Sequence, residues 1–325
     1  GKKISVPFGS TAHAMLIRAL HDLVWDHPTA VAIVTQTPEV AGRALKANQI
    51  DGHANFVPFG ELFPFRGFAK KIYDGSSTGV TTTHGVQVRS DYAERYPEIV
   101  VAYLKATLEA DRLYREDPEG LSEKLAQWTG VDAEVYYAFH GPQGIQTRDY
   151  SLKPEHSNAI FRAQESLKVL KKLTKEIDVA TYVNDKFIRQ ASKEFGYDYD
   201  ARLKDYSAQP FTGNAVDTGA AVQEPKLAGQ IWVKGEPKVR LYSTPEATFA
   251  ALALLQHENK TVRVTFVHYR ETGNKLFAYK VWYVRDSSGL SAFLLKKSAD
   301  EYAAKNKGQV IGFDAARKLP GQASL

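Results

Sequence analysis

The sequence contains no cysteine, and Met15 is its single methionine. Without thiols the chain cannot form disulfide bonds, thiolate metal sites or a cysteine nucleophile. A copper site made of several thioethers is excluded as well, because Met15 stands alone. The lack of cysteine is compatible with an exported bacterial protein.

Long apolar runs and low-complexity tracts are also missing. No stretch of about 18 apolar residues occurs, so the sequence predicts no membrane-spanning helix. No signal peptide is visible at the start of the chain. The 325 residues, 43% of them apolar, are ample for two domains with separate cores.

The net charge of +5 is unevenly placed. Residues 206–325 carry a net charge of +6, whereas residues 1–205 carry −1. A basic surface can favour acidic partners or association with lipid headgroups at a membrane surface, although the commoner explanation is a solvated face. Basic and acidic residues alternate without a run of five like charges, so the sequence predicts no nucleic-acid partner.

The first part of the chain alternates strands and helices. Strands are predicted at 4–8, 30–35, 52–57 and 84–89, and helices at 12–25 and 38–47. This alternation is typical of a parallel α/β sheet. Residues 97–195 then read as mostly helical, with one helix starting at Asp117-Pro118-Glu119 and ending at Gly130.

The composition changes at 206–228, where Gln, Gly, Ala, Asp, Thr and Pro predominate, and this segment is predicted to be a linker. A second domain follows from 229 to 325. Its predicted order, β-α-β-β-β-α-β, indicates an antiparallel α+β domain. Thr244 and Pro245 are expected to start its first helix, and Gly308 to end its second.

The segment Ile4-Ser5-Val6-Pro7-Phe8-Gly9-Ser10-Thr11-Ala12-His13 is the most informative part of the chain. An apolar strand runs into a small-residue turn, and Ser10 or Thr11 is placed to cap the helix that follows. The first turn of a helix has free N–H groups and a partial positive charge, so it can hold a small anion. The alternative is an ordinary strand–turn–helix with a normal cap.

This segment resembles the motif that opens the second lobe of nitrate/sulfonate/taurine-type substrate-binding proteins of ABC importers. The resemblance covers roughly residues 1 to 205. Further matching pieces follow in the expected order: Pro38-Glu39-Val40-Ala41-Gly42-Arg43-Ala44-Leu45, Gln49-Ile50-Asp51-Gly52-His53-Ala54, Phe56-Val57-Pro58-Phe59, His84-Gly85-Val86-Gln87-Val88-Arg89 and Tyr96-Pro97-Glu98-Ile99-Val100. The resemblance implies a type II periplasmic-binding-protein lobe with C-terminal helices. It also implies that the natural N-terminus, with an export signal and part of the cleft, lies upstream of Gly1.

The resemblance implies a set of ligand-binding residues. The family holds its anionic headgroup where Ser10, Thr11, Ala12 and His13 stand. Phe56 and Glu61 fall in the region of the cleft wall and hinge, where an aromatic wall suits an apolar tail and Glu61 could bind an ammonium group. His84 precedes the next strand of the pattern. For each residue a structural role in a cap, a core or a solvated surface is the alternative.

The C-terminal domain resembles the nitrous-oxide-reductase accessory lipoprotein (NosL-like) family. The resemblance is carried by five segments: 262–269, Thr272-Gly273, Ala278-Tyr279-Lys280-Val281-Trp282-Tyr283-Val284, Leu290-Ser291-Ala292-Phe293 and Gly308-Gln309-Val310-Ile311-Gly312-Phe313-Asp314. Those relatives handle copper through Cys and Met, which this domain lacks. Copper(I) binding through soft ligands therefore cannot be carried over.

The sequence thus predicts the substrate-binding component of an ABC importer for a small organic anion, without catalysis, cofactor or metal, exported or periplasmic, with a permease as partner. A metal-handling accessory protein acting through the NosL-like domain is the alternative. Another is an enzyme of the thiamine-pyrimidine-synthase type, which shares the fold but carries a Cys-rich motif that is absent here.

Overall fold

The structure is a computed structural model that describes residues 1–22, 30–75, 83–146, 148–169, 171 and 173–319. The chain forms two compact units that interleave along the sequence. The first unit consists of residues 1–59, 74–116 and 148–207, and the second of residues 60–73, 117–147 and 208–325. The domains predicted at 1–205 and 229–325 have other boundaries than these two units, and that division stays a prediction.

The described helices are, in chain order, α1 (Thr11–Asp22), α2 (Pro38–Lys46), α3 (Phe59–Phe65), α4 (Ser90–Arg95), α5 (Pro97–Glu116), α6 (Pro118–Thr129), α7 (Ala133–His140), α8 (Pro154–Val169), α9 (Val179–Tyr182), α10 (Lys186–Phe195), α11 (Tyr199–Arg202), α12 (Pro245–His257), α13 (Lys296–Asn306) and α14 (Phe313–Ala316). The described strands are β1 (Lys2–Ser5), β2 (Val31–Val34), β3 (Gly52–His53), β4 (Gly229–Val233), β5 (Arg240–Tyr242), β6 (Val262–His268), β7 (Lys275–Phe277), β8 (Trp282–Asp286), β9 (Gly289–Phe293) and β10 (Gln309–Gly312). None of these helices has the length and apolarity needed to cross a membrane.

The first unit is built on a parallel sheet with the order β2-β1-β3. Ile4 pairs with Ile33 on one side and with Gly52 on the other. Helix α1 covers this sheet, and its Leu16 and Leu20 pack with Val6 in a buried cluster. Because the strands are parallel, the loops that follow all three of them lie at one edge.

The predicted helix at 12–25 is present as α1, although residues 23–25 lie outside the described residues. The predicted strand at 84–89 is wrong, since this segment has no regular structure and Val86 and Val88 are 51% and 41% exposed. Alternating apolar residues predict a strand only where a neighbouring strand and a core cover them. The rest of the first unit is helical, and α5 packs on α10 through Val101, Leu108 and Ile188.

The second unit contains two antiparallel sheets, with the orders β5-β4-β6-β7 and β10-β8-β9. Helix α12 and the two sheets share one large core that includes Phe249 and Tyr283. Helix α7 packs on the four-stranded sheet, where Tyr137 contacts Trp232 and Phe266. An α/β part with a parallel sheet, followed by a small antiparallel α+β part, is therefore confirmed.

Two details of the second unit differ from the sequence-based expectation. The third strand of the predicted β-α-β-β-β-α-β order is two strands in the structure, because a 3-10 turn at Ala278–Lys280 separates β7 in one sheet from β8 in the other. The predicted linker at 206–228 packs onto the unit, where Ala215 and Ala228 are buried with Leu241. Small residues suggest a linker by composition, yet they also allow a chain segment to lie close to a sheet.

Candidate functional site

The carboxyl edge of the parallel sheet is the candidate site of the first unit. The loops after β1, β2 and β3 meet there because the strands are parallel and adjacent. They carry Phe8 to Thr11 after β1, Thr35 to Thr37 after β2, and Ala54 to Phe56 after β3. The first two loops are joined directly, since the amide of Phe8 donates to the hydroxyl of Thr35 at 3.3 Å.

The turn into α1 has the geometry expected of an anion-binding helix start. Gly9 has a φ of +76°, a conformation that glycine adopts without a Cβ penalty. The hydroxyl of Ser10 donates to the carbonyl of Pro7 at 2.6 Å and accepts from the amide of His13 at 3.3 Å. Ser10 is therefore the capping residue, and Thr11 is the first residue of the helix.

Two backbone amides at the start of α1 remain available. Within the described part of the chain, the amides of Thr11 and Ala12 donate to no protein acceptor. The amide of His13, in contrast, donates to the carbonyl of Ser10 at 3.0 Å. The arrangement leaves two N–H groups at the positive end of a 12-residue helix.

The ring of His13 packs against the turn that precedes α1, and its predicted role toward an anion stays a prediction. It is buried, it stacks on Phe8 with ring centroids 4.8 Å apart, and its Nδ1 accepts from the amide of Gly9 at 3.3 Å. A ring nitrogen that accepts from an amide carries no proton. The ring therefore supports the turn and fixes Phe8, whose own side chain is 47% exposed.

A second histidine at this edge was not among the predicted site residues. His53 ends β3, and its Nδ1 lies 2.7 Å from the hydroxyl of Ser5 and 3.1 Å from the carbonyl of Ser5. The side-chain amide of Asn55 lies 2.8 Å from Nε2. Burial lowers the pKa of His53, and the hydrogen bond with the Ser5 carbonyl partly offsets that shift. Its position at the carboxyl end of a parallel strand is the signal that could have identified it.

The loop after β2 adds a polar group that the sequence analysis also missed. The side-chain oxygen of Gln36 is buried and has no hydrogen-bond partner within the residues that the structure describes. A buried amide oxygen without a partner costs free energy, so such atoms call for an explanation. At a ligand site it can accept a hydrogen bond from an ammonium or hydroxyl group.

The remaining predicted site residues lie in three different local settings. Phe56 follows β3 and is 41% exposed, so its ring is available to a ligand. Glu61 belongs to the second unit, where it is buried and its carboxylate accepts from the ammonium of Lys71 at 2.8 Å. His84 is exposed and lies in the segment where no strand forms. The roles suggested for Glu61 and His84 stay predictions.

Among the described residues, no group of three or more His, Asp or Glu side chains is arranged to hold a metal ion. The chemistry that the carboxyl edge can supply is hydrogen-bond donation from backbone amides and hydroxyls beside exposed rings.

No protein-family model matches this chain. The chain is 34% identical to the taurine-binding periplasmic protein of Escherichia coli (strain K12) over 142 residues, which are 40% of this chain and 43% of that protein. The chain resembles substrate-binding proteins of ABC importers. It is also 26% identical, over 60% of its length, to a protein of Bacillus subtilis (strain 168) whose name assigns it to aliphatic sulfonates; the match covers 58% of that protein. The chain spans about half the length of these curated relatives.

Solved structures are matched at low identity. The periplasmic aliphatic sulphonate binding protein SsuA from Escherichia coli is 21% identical, with 57% of this chain and 59% of that chain covered and a TM-score of 0.48. The copper chaperone NosL from Shewanella denitrificans is 20% identical, with 34% of this chain and 94% of that chain covered and a TM-score of 0.28. The predicted resemblance to taurine- and sulfonate-type binding proteins is confirmed by the curated relatives.

Proposed function

We propose that this chain is the substrate-binding component of an ABC importer for a small organic anion of the sulfonate or taurine type. The relatives that it resembles carry such names, and its helix start offers donors without an acceptor of its own. The observation that carries the proposal is the pair of available amides at Thr11 and Ala12. Binding of this kind needs no catalytic group.

The headgroup oxygens would accept from the amides of Thr11 and Ala12, and the dipole of α1 would favour the negative charge. Hydrogen bonds to a charged acceptor are stronger than neutral ones, so two amides can supply much of the binding free energy. The exposed rings of Phe8 and Phe56 follow neighbouring strands and would contact the apolar part of the ligand. The free oxygen of Gln36 would accept from the ammonium of an aminosulfonate.

An importer component of this class acts outside the cytoplasmic membrane and delivers its ligand to a permease. Both the exported location and the permease partner are part of this proposal. They are supported by the similarity to the taurine-binding periplasmic protein and to a putative ABC transporter periplasmic binding protein of Brachyspira hyodysenteriae (strain ATCC 49526 / WA1), which is 28% identical over 54% of this chain. Metal handling and catalysis remain alternative hypotheses; for the first, the described residues contain no group of three or more His, Asp or Glu side chains arranged to hold a metal ion.

The test is calorimetric titration of the full chain with taurine, methanesulfonate and nitrate, using the variants Thr11→Pro and Thr11→Val. Proline is favoured at the first position of a helix, so Thr11→Pro removes one amide donor while the helix is retained. Thr11→Val keeps the amide and removes only the hydroxyl. We expect Thr11→Pro to weaken binding by about tenfold or more, the loss typical of a hydrogen bond to a charge.

Two results would contradict the proposal. One is equal binding by Thr11→Pro and the parent chain, with circular dichroism showing that both are folded. The other is the absence of any shift of the Thr11 and Ala12 amide resonances in the presence of millimolar taurine and methanesulfonate. The second measurement detects even weak contact, so it applies whether or not a second lobe completes the cleft.

A further inference from the structure

Two adjacent lysines of the second unit have different electrostatic surroundings. Lys71 forms an ion pair with the buried carboxylate of Glu61, with 2.8 Å between nitrogen and oxygen. The ammonium of Lys70 lies instead over the indole ring of Trp282, 4.5 Å from the ring centroid. Among the residues that the structure describes, no carboxylate pairs with Lys70 and no acceptor binds its ammonium hydrogens. Lys70 is therefore a cation held beside an aromatic ring without a counter-charge.

Two further lysines lie beside aromatic rings of the same region. Lys280 ends the 3-10 turn between β7 and β8, and its ammonium is 5.6 Å from the centroid of the Tyr279 ring. Lys296 begins α13, and its ammonium is 5.8 Å from the centroid of the Trp282 ring. These three lysines and two rings all belong to the second unit, and together with Lys70 in first place they form what we call the Trp282 cluster.

The charges of the Trp282 cluster do not balance. Lys296 is paired, because both carboxylate oxygens of Asp300 lie 2.8 Å from its ammonium. Lys280, like Lys70, forms no ion pair and no hydrogen bond through its side chain within the described part of the chain. Two ammonium groups of the cluster thus remain without a carboxylate.

The other carboxylates near the cluster are already paired. Helix α14 packs on the 3-10 turn, and its Asp314 lies 3.1 Å from the guanidinium of Arg317. Glu134, whose charge acts on Tyr279, lies 2.6 Å from the guanidinium of Arg263. Each of these carboxylates has its own cation, so the two unpaired lysines leave a positive excess.

The two unpaired lysines also act on each other. Burial lowers the pKa of the Lys70 ammonium, and the positive charge of Lys280 lowers that pKa further. Like charges held near each other without a counter-charge repel, and an anion placed beside both relieves the repulsion. The side chain of Lys70 is exposed and Tyr279 is 38% exposed, so a ligand can reach both ammonium groups.

The kind of cation in the cluster favours a phosphate group over a carboxylate. The paired N–H groups of arginine match a planar carboxylate, whereas lysine binds phosphate as a point charge. The two unpaired cations here are both lysines. A phosphomonoester carries about −1.5 to −2 charges at pH 7, which matches two ammonium groups.

We infer that the Trp282 cluster is a binding site for a phosphate group, whose oxygens accept hydrogen bonds from the ammonium groups of Lys70 and Lys280. The rings of Trp282 and Tyr279 attract these ammonium groups and so position them before the ligand binds. The phosphate group is that of a small phosphomonoester or of a lipid headgroup, two sources with the same chemistry. The inference does not depend on the proposed function of the first unit.

The experiment is a titration of the isotope-labelled full chain with methyl phosphate, followed through the indole N–H resonance of Trp282. The variant Trp282→Phe identifies that resonance by its loss. We expect a saturable shift in the parent chain. The double variant Lys70→Gln/Lys280→Gln should weaken binding about tenfold or more, because it removes both donors and both charges.

Lys305→Gln is the matched control. It removes an exposed charge from α13, at a distance of about 13 Å along the helix from Lys296. At an ionic strength of about 0.1 M, charges more than about 10 Å apart are largely screened. The control should therefore bind methyl phosphate as the parent chain does, and circular dichroism of all variants shows that they are folded.

Sedimentation with phosphatidylcholine vesicles that contain phosphatidic acid separates the two sources of phosphate. Saturable binding of methyl phosphate supports the inference with a soluble phosphomonoester as ligand. Binding to the acidic vesicles alone, lost in the double variant, supports it with a lipid headgroup as ligand.

The inference is overturned if neither methyl phosphate at millimolar concentration nor the acidic vesicles bind. It is also overturned if Lys305→Gln weakens binding as much as the double variant, since that would mean unspecific attraction to a basic surface. The Thr11→Pro variant should leave the Trp282 shift unchanged, so failure here and failure of the proposed importer function are distinguishable.

Discussion

The ammonium nitrogen of Lys275 lies 2.7 Å from the carbonyl oxygen of Tyr137 and 3.6 Å from the centroid of its ring. Lys275 is on strand β7, Tyr137 is on helix α7, and both are buried. The hydroxyl of Tyr137 donates to Gln230, whose amide nitrogen lies 2.9 Å from His268. A buried polar network therefore fixes α7 to the four-stranded sheet of the second unit.

Gly141 provides the space for this lysine. A Cβ at Gly141 would lie 2.7 Å from the Lys275 ammonium and 2.7 Å from the Tyr137 carbonyl. We expect Gly141→Ala to lower the free energy of unfolding by about 1–3 kcal/mol, the usual cost of overpacking a filled site. Urea unfolding of the parent chain and of the variant measures this difference in the free energy of unfolding. Gly312→Ala is the control, because a Cβ there meets nothing within 4 Å, and an equal loss in both variants would contradict the prediction.

The effect of replacing Lys275 on the stability of the protein should depend strongly on the size of the new side chain. Lys275→Met keeps the length and removes a buried charge, and the Tyr137 carbonyl still accepts from the amide of Gly141 at 3.1 Å. We expect it to change stability by less than about 1.5 kcal/mol, whereas Lys275→Ala should cost about 2–4 kcal/mol through the cavity it leaves. Thermal unfolding of both variants, compared at one pH, checks this; a larger loss for Lys275→Met would contradict it.

The buried histidine of the network should make the second unit sensitive to acid. Burial lowers the pKa of His268 to about 3, with the hydrogen bond to the Gly273 carbonyl acting in the opposite direction. Its unfolded pKa is near 6.5, so the unfolded chain binds a proton that the folded chain does not. This contribution is complete above about pH 6.5 and is lost as the pH falls toward 3, with a slope of up to about 1.4 kcal/mol per pH unit.

Unfolding measured between pH 7 and pH 4 tests this effect. His268→Gln should flatten the slope, because it removes the group that takes up the proton. His257→Gln, at an exposed position at the end of α12, should leave the slope as it is. A slope unchanged by His268→Gln would show that other groups cause the acid sensitivity.

The start of α6 offers a test of helix capping. The carboxylate of Asp117 accepts from the amide of Gly120 at 3.3 Å, and it also pairs with Lys238 at 2.8 Å. That hydrogen bond with Lys238 is the main cause of the lowered pKa of Asp117. Asp117→Ala should cost about 1 kcal/mol of stability, while Asp117→Asn keeps a capping oxygen and should cost less. Since the ion pair is half exposed, equal losses would mean that the charge, not the cap, matters.

Ligand preference should depend on the two exposed rings of the first unit, if the proposed function holds. Phe8→Ala and Phe56→Ala should weaken binding of hexanesulfonate by about 1–2 kcal/mol each and leave methanesulfonate nearly unchanged, because only the longer ligand covers apolar surface. Calorimetric titration gives both affinities. Tyr103→Ala, an exposed ring on α5, is the control, and equal losses for the two ligands would show that the rings do not contact the tail.

Local signals in the sequence identified several element boundaries. Asp117-Pro118 and Thr244-Pro245 start α6 and α12, and in both helices the predicted side chain accepts from a backbone amide of the first turn. Gly130, in the left-handed conformation, ends α6 as expected. Caps are local, because a few neighbouring residues supply the whole interaction.

Signals that depend on distant neighbours were less informative. Strand β4 is buried along its whole length, so it lacks the alternation that marks a strand with one solvated face, and it was missed. The segment at 84–89 has that alternation but no strand beside it. The candidate site shows the same difference between local and distant signals. The sequence of the turn identified Ser10 and Thr11, whereas Gln36 follows β2 and His53 ends β3, and only the order of the strands in the sheet makes those strands neighbours of β1.

By itself, the sequence determined the chemistry that this protein can use: no thiol, a helix start with a small-residue turn, and a basic C-terminal part. It also determined the order of a parallel and an antiparallel part. Only the tertiary structure decided which amides stay available, that the ring of His13 stacks on Phe8, and that Lys71 forms an ion pair with Glu61. Whether a polar group is partnered depends on residues far away in sequence, and folding alone brings those residues into contact.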